Sequence, residues 1–307
     1  MPGPTASSTR ATGRRVGSRV AAMHVGVVGA GLMGAGMIRN IAEGGHEVVV
    51  YARTPAKAEG LPARLAPGVV AAVDGADIAL LSVTDSEHVI EVVELIVTAD
   101  APPPIIIDTS TIAPEVAREA AVLAASVGTE YLDCPVSGGP PGAAAGTLAV
   151  MCGGTDAGVA AAAPVLDLIG DPAKRVHCGP VGSGLVAKLV NNLLVAVISA
   201  GTAEAFGMGQ RAGVDPEVLA RVVMASSGDS WQLRNLFPRV LAGNHAPGFR
   251  ARDLRKDLGH ARDLAGHPLA IGDPAARLFE DVDGELDYGA VARLLMDLPD
   301  PAPPEEA

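Results

Sequence analysis

The pattern of hydrophobic positions changes character near residue 180. Before it, short apolar runs at residues 23–29, 47–51, 78–83, 105–108, 130–133, 148–152 and 175–178 alternate with segments of helical spacing at about 32–43, 87–97, 114–126 and 155–169. Runs this short and largely apolar suit strands buried on both faces. Their alternation with helices sets them side by side in a parallel sheet, covered above and below. From Gly182 onward helical spacing continues with no convincing strand. Residues 184–211 read as one long helix, apolar nearly all round, and so buried. Shorter helices follow at about 215–225, 230–241, 250–265, 274–282 and 289–297. The prediction is an α/β first part and an all-α second part built on one central helix.

Composition and charge narrow the function classes. With 49% of 307 residues hydrophobic, a substantial core can be buried; aromatics at 3% leave the packing to Ala, Gly, Val and Leu. A net charge of −12 argues against nucleic acid or an anionic membrane as partner, and a small anionic substrate needs a local cationic site. The apolar stretch 193–203 falls short of the ~20 residues that a membrane span needs, so no membrane is expected. Cys134, Cys152 and Cys178 show neither metal spacing nor even pairing, which suggests reduced thiols in a cytoplasmic protein. The seven histidines are scattered, and no metal is assigned. Residues 1–22, rich in Ser, Thr, Gly and Arg, precede Met23 without apolar periodicity. They are expected to be a dispensable, disordered tail, with an organelle-type presequence or a mis-set start as alternatives. The Pro-rich, acidic segment 299–307 is expected to be disordered as well.

Candidate chemistry begins at the first strand. Gly29-Ala30-Gly31-Leu32-Met33-Gly34 fits G-x-G-x-x-G between an apolar strand and an apolar helix, the setting in which that spacing binds a dinucleotide. The first glycine permits a tight turn, the second lets backbone approach a pyrophosphate, and the third lets helix pack on strand. This makes residues 23–181 a Rossmann-type dinucleotide-binding domain and residues 182–298 a helical domain for substrate binding and dimerisation. Past the second strand an NAD site usually places an acid for the ribose hydroxyls. Here the residues are Arg53, Thr54 and, one turn on, Lys57, with no acid. A guanidinium fork and a hydroxyl suit a 2′-phosphate, so NADP is preferred over NAD as the expected cofactor.

Four blocks then resemble the β-hydroxyacid dehydrogenases, the group of 3-hydroxyisobutyrate dehydrogenase, tartronate semialdehyde reductase and glyoxylate/succinic semialdehyde reductases. They are VGAGLMGAGMIRN at 28–40, DTSTIAP at 108–114, DCPVSGGPPGAAAGTLAVMCGG at 133–154 and GPVGSGLVAKLVNN at 179–192; Lys256-Asp257-Leu258 is a weaker fifth. The resemblance spans about residues 23–298. It implies that Lys188 is the catalytic lysine, that Asn192 assists it, and that Ser137, Gly138 and Gly139 hold the substrate carboxylate. It also implies that Thr111 and Lys256 lie at the nicotinamide side of the cofactor.

The chemistry of these residues agrees with those roles. Lys188 sits among Leu185, Val186, Ala187, Leu189 and Val190, where desolvation disfavours its ammonium and brings its pKa toward a working range. So placed, it can protonate a carbonyl oxygen as hydride arrives, or accept the alcohol proton in reverse. Asn192 lies at i+4 on the same helix face. Ser137-Gly138-Gly139 reads as a loop of exposed N–H groups plus one hydroxyl, stiffened by Pro135 and Pro140-Pro141, and such a concavity suits a carboxylate. Ser110-Thr111 follows a strand end, where open α/β sheets bind ligands, although helix capping before Pro114 is an alternative for this pair. Lys256 lies in a dense charge run from 250 to 257 that also fits a solvated helix face.

The expected function is hydride transfer between NADP(H) and a small hydroxy acid or its semialdehyde, in a homodimer or homotetramer. NADP preference leans toward glyoxylate, succinic semialdehyde or tartronate semialdehyde. An NADPH-dependent imine reductase is the near alternative, against which Lys188 counts. A 6-phosphogluconate dehydrogenase would want a longer helical domain and a His-Asn pair at Asn191-Asn192. A catalytically silent NADP-binding module is the alternative from another class.

Overall fold

The computed structural model describes residues 21–298 of the chain; the expectations for its two ends fall outside these residues, apart from Ala21 and Ala22. The first part is a nine-stranded sheet. Strands β1 (His24–Val28), β2 (Glu47–Tyr51), β3 (Arg64–Leu65), β4 (Ile78–Leu81), β5 (Ile105–Asp108) and β6 (Glu130–Asp133) run parallel in the order β3-β2-β1-β4-β5-β6. The remainder departs from a wholly parallel sheet. Strand β8 (Leu148–Gly153) pairs antiparallel with β6 and β7 (Val136–Ser137) and parallel with β9 (Gly170–Gly179).

Side chains alternate across each strand, so one strand feeds two cores. Val25, Val27, Val48, Val50, Leu80 and Ile107 face helices α1 (Leu32–Glu43), α5 (Gly139–Ala145) and α6 (Asp156–Ile169). Val28, Val49, Leu81 and Ile106 face α2 (Val69–Val73), α3 (Ser86–Ile96) and α4 (Pro114–Ala125). The predicted strands and helices are present. The pair β3 and α2 lies in a stretch where no element was predicted.

Helix α7 (Ser183–Arg211) leaves the sheet and becomes the axis of the second part. Its start is fixed by the sheet: Asp133, at the end of β6, accepts from Gly182 N at 2.7 Å and Leu185 N at 2.9 Å. A Cβ on Gly184 would stand 2.3 Å from Met151 O, so only glycine lets α7 meet β8 this closely. By length and composition α7 is long enough to cross a membrane, contrary to the count of uninterrupted apolar residues, which stopped at Lys188, Asn191, Asn192 and Glu204. In the fold it is a central helix, packed by α8 (Pro216–Met224), α9 (Trp231–Asn235), α11 (Ala251–Ala265), α12 (Gly272–Glu280) and a 3-10 stretch at Tyr288–Leu294. Phe206, Leu233, Phe237, Leu254 and Phe279 fill the core around it. The helix expected over 230–241 is two helices. Pro238 opens the second, α10 (Phe237–Leu241), and supplies no N–H to continue the first. The helix expected over 289–297 is the 3-10 stretch.

Candidate active site

The glycine turn after β1 is shaped by sterics. Gly29 has φ of 109°, and a Cβ on it would lie 2.2 Å from Ser82 O. A Cβ on Gly34 would lie 2.2 Å from Gly29 O, so the third glycine lets α1 pack against the turn. Gly31 has nothing within 4 Å of its would-be Cβ and stands before open space. Helix α1 starts there with no side-chain cap and no acid in its first turn, leaving its first N–H groups available. Ala30 is buried, Met33 half-buried and Leu32 exposed beside that space. An open, uncapped helix start behind a glycine fits a pyrophosphate.

Arg53 is exposed beyond the end of β2, on the wall of an open pocket of about 480 Å³ shared with Pro55, Leu65, Ala66 and Pro67. Its Nη1 lies 2.5 Å from His88 Nε2. Thr54 precedes the 3-10 turn Pro55–Ala58 without capping it, and Lys57 is exposed within that turn. From β2 across β1 and β4 to β5 is three strand spacings, about 14 Å at ~4.8 Å each. The carboxyl edge thus runs from Arg53, past the glycine turn, to Thr111.

At the β5 end the two parts of the chain meet. Lys256 on α11 donates from Nζ to the Thr111 carbonyl and lies 3.2 Å from Asp257 Oδ1. Asp257 Oδ2 accepts from Asn192 Nδ2 at 2.7 Å, and Asn191 Nδ2 donates to Asn192 Oδ1 at 3.0 Å. Lys188, one turn before Asn192, is buried, and its Nζ lies 6.0 Å from the centre of the Phe249 ring. Burial lowers its pKa to about 8 against the pull of Asp257, with Lys256 pushing the same way as burial. Burial raises the Asp257 carboxyl, which Lys256 and Lys188 oppose. Behind Thr111, Asp108 accepts from Ser110 N at 2.8 Å and from Tyr131 Oη at 2.5 Å, which pins the turn that presents the Thr111 carbonyl.

Ser137, Gly138 and Gly139 are not the simple loop expected. Ser137 ends β7, paired with Ala149, and Gly139 opens α5. Gly138 and Gly139 turn the chain with φ of 136° and 63°, and Pro140 and Pro141 then hold helical φ in the first turn. The helix start still offers N–H groups without a side-chain cap. A Cβ on Gly139 would stand 3.7 Å from Gly248 O, next to the Phe249 that borders Lys188. Gly248 and Phe249 thus link the start of α5 to the surroundings of Lys188.

Comparison with known proteins accords with this geometry. Residues 24–181 match the family model described as the NAD binding domain of 6-phosphogluconate dehydrogenase. Residues 182–295 match that described as NAD-binding of NADP-dependent 3-hydroxyisobutyrate dehydrogenase. The chain belongs to the β-hydroxyacid dehydrogenase family. It is 38% identical over 275 residues to a 3-hydroxyisobutyrate dehydrogenase of Pseudomonas aeruginosa, covering 85% of this chain and 87% of that one. It is 36% identical over 255 residues to an NAD-dependent L-serine dehydrogenase of the same organism, covering 78% and 85%. The solved 3-hydroxyisobutyrate dehydrogenase of Mycobacterium tuberculosis, with L-serine, superposes with a TM-score of 0.82 at 32% identity, covering 89% of this chain and 99% of that one.

As a β-hydroxyacid dehydrogenase the chain is an oxidoreductase with NAD(P)-binding architecture. Within its cleft, sequence reasoning missed Asp257, His88 and Asp85. Asp257 lay inside the fifth block of resemblance, but a run of charges does not reveal which one is buried. His88 and Asp85 belong to no motif, and only the return of β4 beside β1, which itself pairs with β2, brings them to Arg53.

Proposed function

We propose that this chain is an NADP(H)-dependent dehydrogenase of a small β-hydroxy carboxylate of the 3-hydroxyisobutyrate type, with Lys188 as proton donor and acceptor. The observation that carries the reading is a buried lysine, pKa brought to about 8 by burial, near an Asp257–Asn192 hydrogen bond and a Phe249 ring whose neighbour Gly248 lies against Gly139. The relatives' names favour 3-hydroxyisobutyrate over the semialdehydes that NADP preference alone had suggested. Arg53, with no acid at the end of β2, favours a 2′-phosphate even though one relative is named for NAD.

When bound, a nicotinamide dinucleotide would supply the hydride acceptor or donor. Gly29 to Gly34 and the start of α1 would hold its pyrophosphate, Arg53, Thr54 and Lys57 its adenosine end, and Thr111 and Lys256 would border its nicotinamide end. The Ser137 hydroxyl and the N–H groups of the Gly138-Gly139 turn receive the substrate carboxylate. Neutral Lys188 takes the proton of the substrate hydroxyl during oxidation and returns it to the carbonyl oxygen during reduction. Asn192 Nδ2 gives one hydrogen to Asp257 and has a second for the same oxygen. With a pKa of about 8, Lys188 has its ammonium available at neutral pH, a form that Asp257 favours.

Initial rates with 3-hydroxyisobutyrate, L-serine, glyoxylate, succinic semialdehyde and tartronate semialdehyde, each with either dinucleotide, test this reading. Highest kcat/KM for 3-hydroxyisobutyrate with NADP⁺ is expected, and Arg53→Asp should abolish or reverse the cofactor preference. Equal efficiency with NAD⁺ contradicts the cofactor assignment, and a preference for L-serine, glyoxylate or either semialdehyde contradicts the substrate assignment.

The reading extends to a homo-oligomer. Along α7, Val190 and Leu194, one turn apart, are each 53% exposed and Met208 66%, and Trp231 on α9 is 62% exposed. Apolar side chains in a row on a central helix suit a second copy of the chain.

A further inference from the structure

Arg53 is exposed and free to turn, yet its guanidinium is held. Nη1 meets His88 Nε2 at 2.5 Å. His88 is held in turn by Asp85, whose Oδ1 accepts from the His88 backbone N–H at 3.1 Å and lies 2.7 Å from ring Nδ1. A guanidinium only donates, so Nε2 must be the accepting nitrogen, and the ring hydrogen sits on Nδ1, facing Asp85. The tautomer is thus fixed by a residue that also caps the start of α3. With Nη1 engaged, the Nε–Nη2 edge of the fork remains for a second partner on the pocket shared with Pro55 and Leu65–Pro67. That edge matches two oxygens of a phosphate.

We propose that His88 is a positioning residue for cofactor choice: fixed by Asp85, it holds Arg53 so that the open edge of the guanidinium reads the 2′-phosphate of NADP. This rests on the NADP reading above. An unanchored arginine must be ordered when the phosphate arrives. Anchoring one long side chain in advance is worth about three- to tenfold in affinity. The benefit applies only to a ligand carrying the 2′-phosphate.

The test uses fragments that probe the adenosine end alone. Calorimetric titration of the full chain with adenosine 2′,5′-bisphosphate and with adenosine 5′-monophosphate gives the two dissociation constants. His88→Ala is expected to weaken the bisphosphate by about three- to tenfold while the monophosphate stays within about twofold. His88→Gln keeps an acceptor and should lie closer to the parent, and Arg53→Ala should lose at least as much as His88→Ala. If Arg53→Ala loses the bisphosphate preference and His88→Ala keeps it, the positioning role is overturned and the NADP reading stands. If His88→Ala weakens both ligands equally, its role is structural and the proposal fails. If the parent binds both fragments equally, the NADP reading itself fails and takes this one with it.

Discussion

Lys188 and Asp257 are displaced from their ordinary titration by the same cause, burial, in opposite directions. The lysine falls to about 8 and the carboxyl rises. A lysine that must be neutral to take a proton makes oxidation climb with pH and level off above about 8. A lysine that must be charged to give one makes reduction decline above the same value. Profiles of kcat/KM in both directions should show these mirror-image limbs. Asp257 favours the ammonium, so Asp257→Asn should move both limbs to lower pH; an unmoved profile would remove Asp257 from the proton path. Ser137→Ala should chiefly raise KM, because carboxylate binding is present in ground and transition states alike. Lys188 could be read from the chain because one charge among apolar neighbours is conspicuous. Asp257 could not, because the run Arg250-Ala251-Arg252-Asp253-Leu254-Arg255-Lys256-Asp257 hides a single buried carboxylate among exposed and half-buried charges.

Two elements place those residues, and the sequence announced them unequally. Helix α7 was legible from its nearly unbroken apolar spacing, but its anchor was not. Asp133 reaches Gly182 and Leu185 across 49 and 52 residues. Asp133→Ala leaves two buried N–H groups unpaired and should cost roughly 2–5 kcal/mol in denaturant unfolding. Burial raises the Asp133 pKa to about 6 from 3.8, so the folded form holds its proton more tightly than the unfolded chain. Its contribution is full below the unfolded value and is lost as pH rises through about 6. Asp133→Asn, which cannot ionise, should therefore be less destabilising at pH above that value than below it; the opposite trend would contradict the assignment. The start of α5 shows the reverse case. Its Ser-Gly-Gly-Pro-Pro run reads as a loop in the sequence because glycine and proline mark turns. Two positive-φ glycines do turn the chain, but the prolines then seed a helix.

At the scale of the whole molecule, the cleft is a meeting of two parts that carry different chemistry. The carboxyl edge of the sheet supplies the glycine turn, Arg53, Thr111 and Ser137, while α7 and α11 supply Lys188, Asn192, Lys256 and Asp257. The Lys256–Thr111 contact joins them directly. In a chain with net charge −12, Lys188 and Lys256 bring two positive groups to the region where the proposed reading places a small carboxylate substrate. The exposed apolar row on α7 predicts a dimer or tetramer in sedimentation velocity, with Leu194→Glu shifting the population toward monomer; a parent that sediments as a monomer would contradict that surface assignment. The central claim is that Lys188 moves the proton as hydride moves at carbon. A positioned acid or base is typically worth ~10²–10⁴-fold. Single-turnover reduction by Lys188→Ala, with NADPH saturating, should be slower than the parent by about that factor, with NADPH affinity little changed and with no rescue in Lys188→Arg, whose guanidinium does not give up its proton. A single-turnover rate within about twofold of the parent would show that Lys188 is structural and that the proton travels by another group.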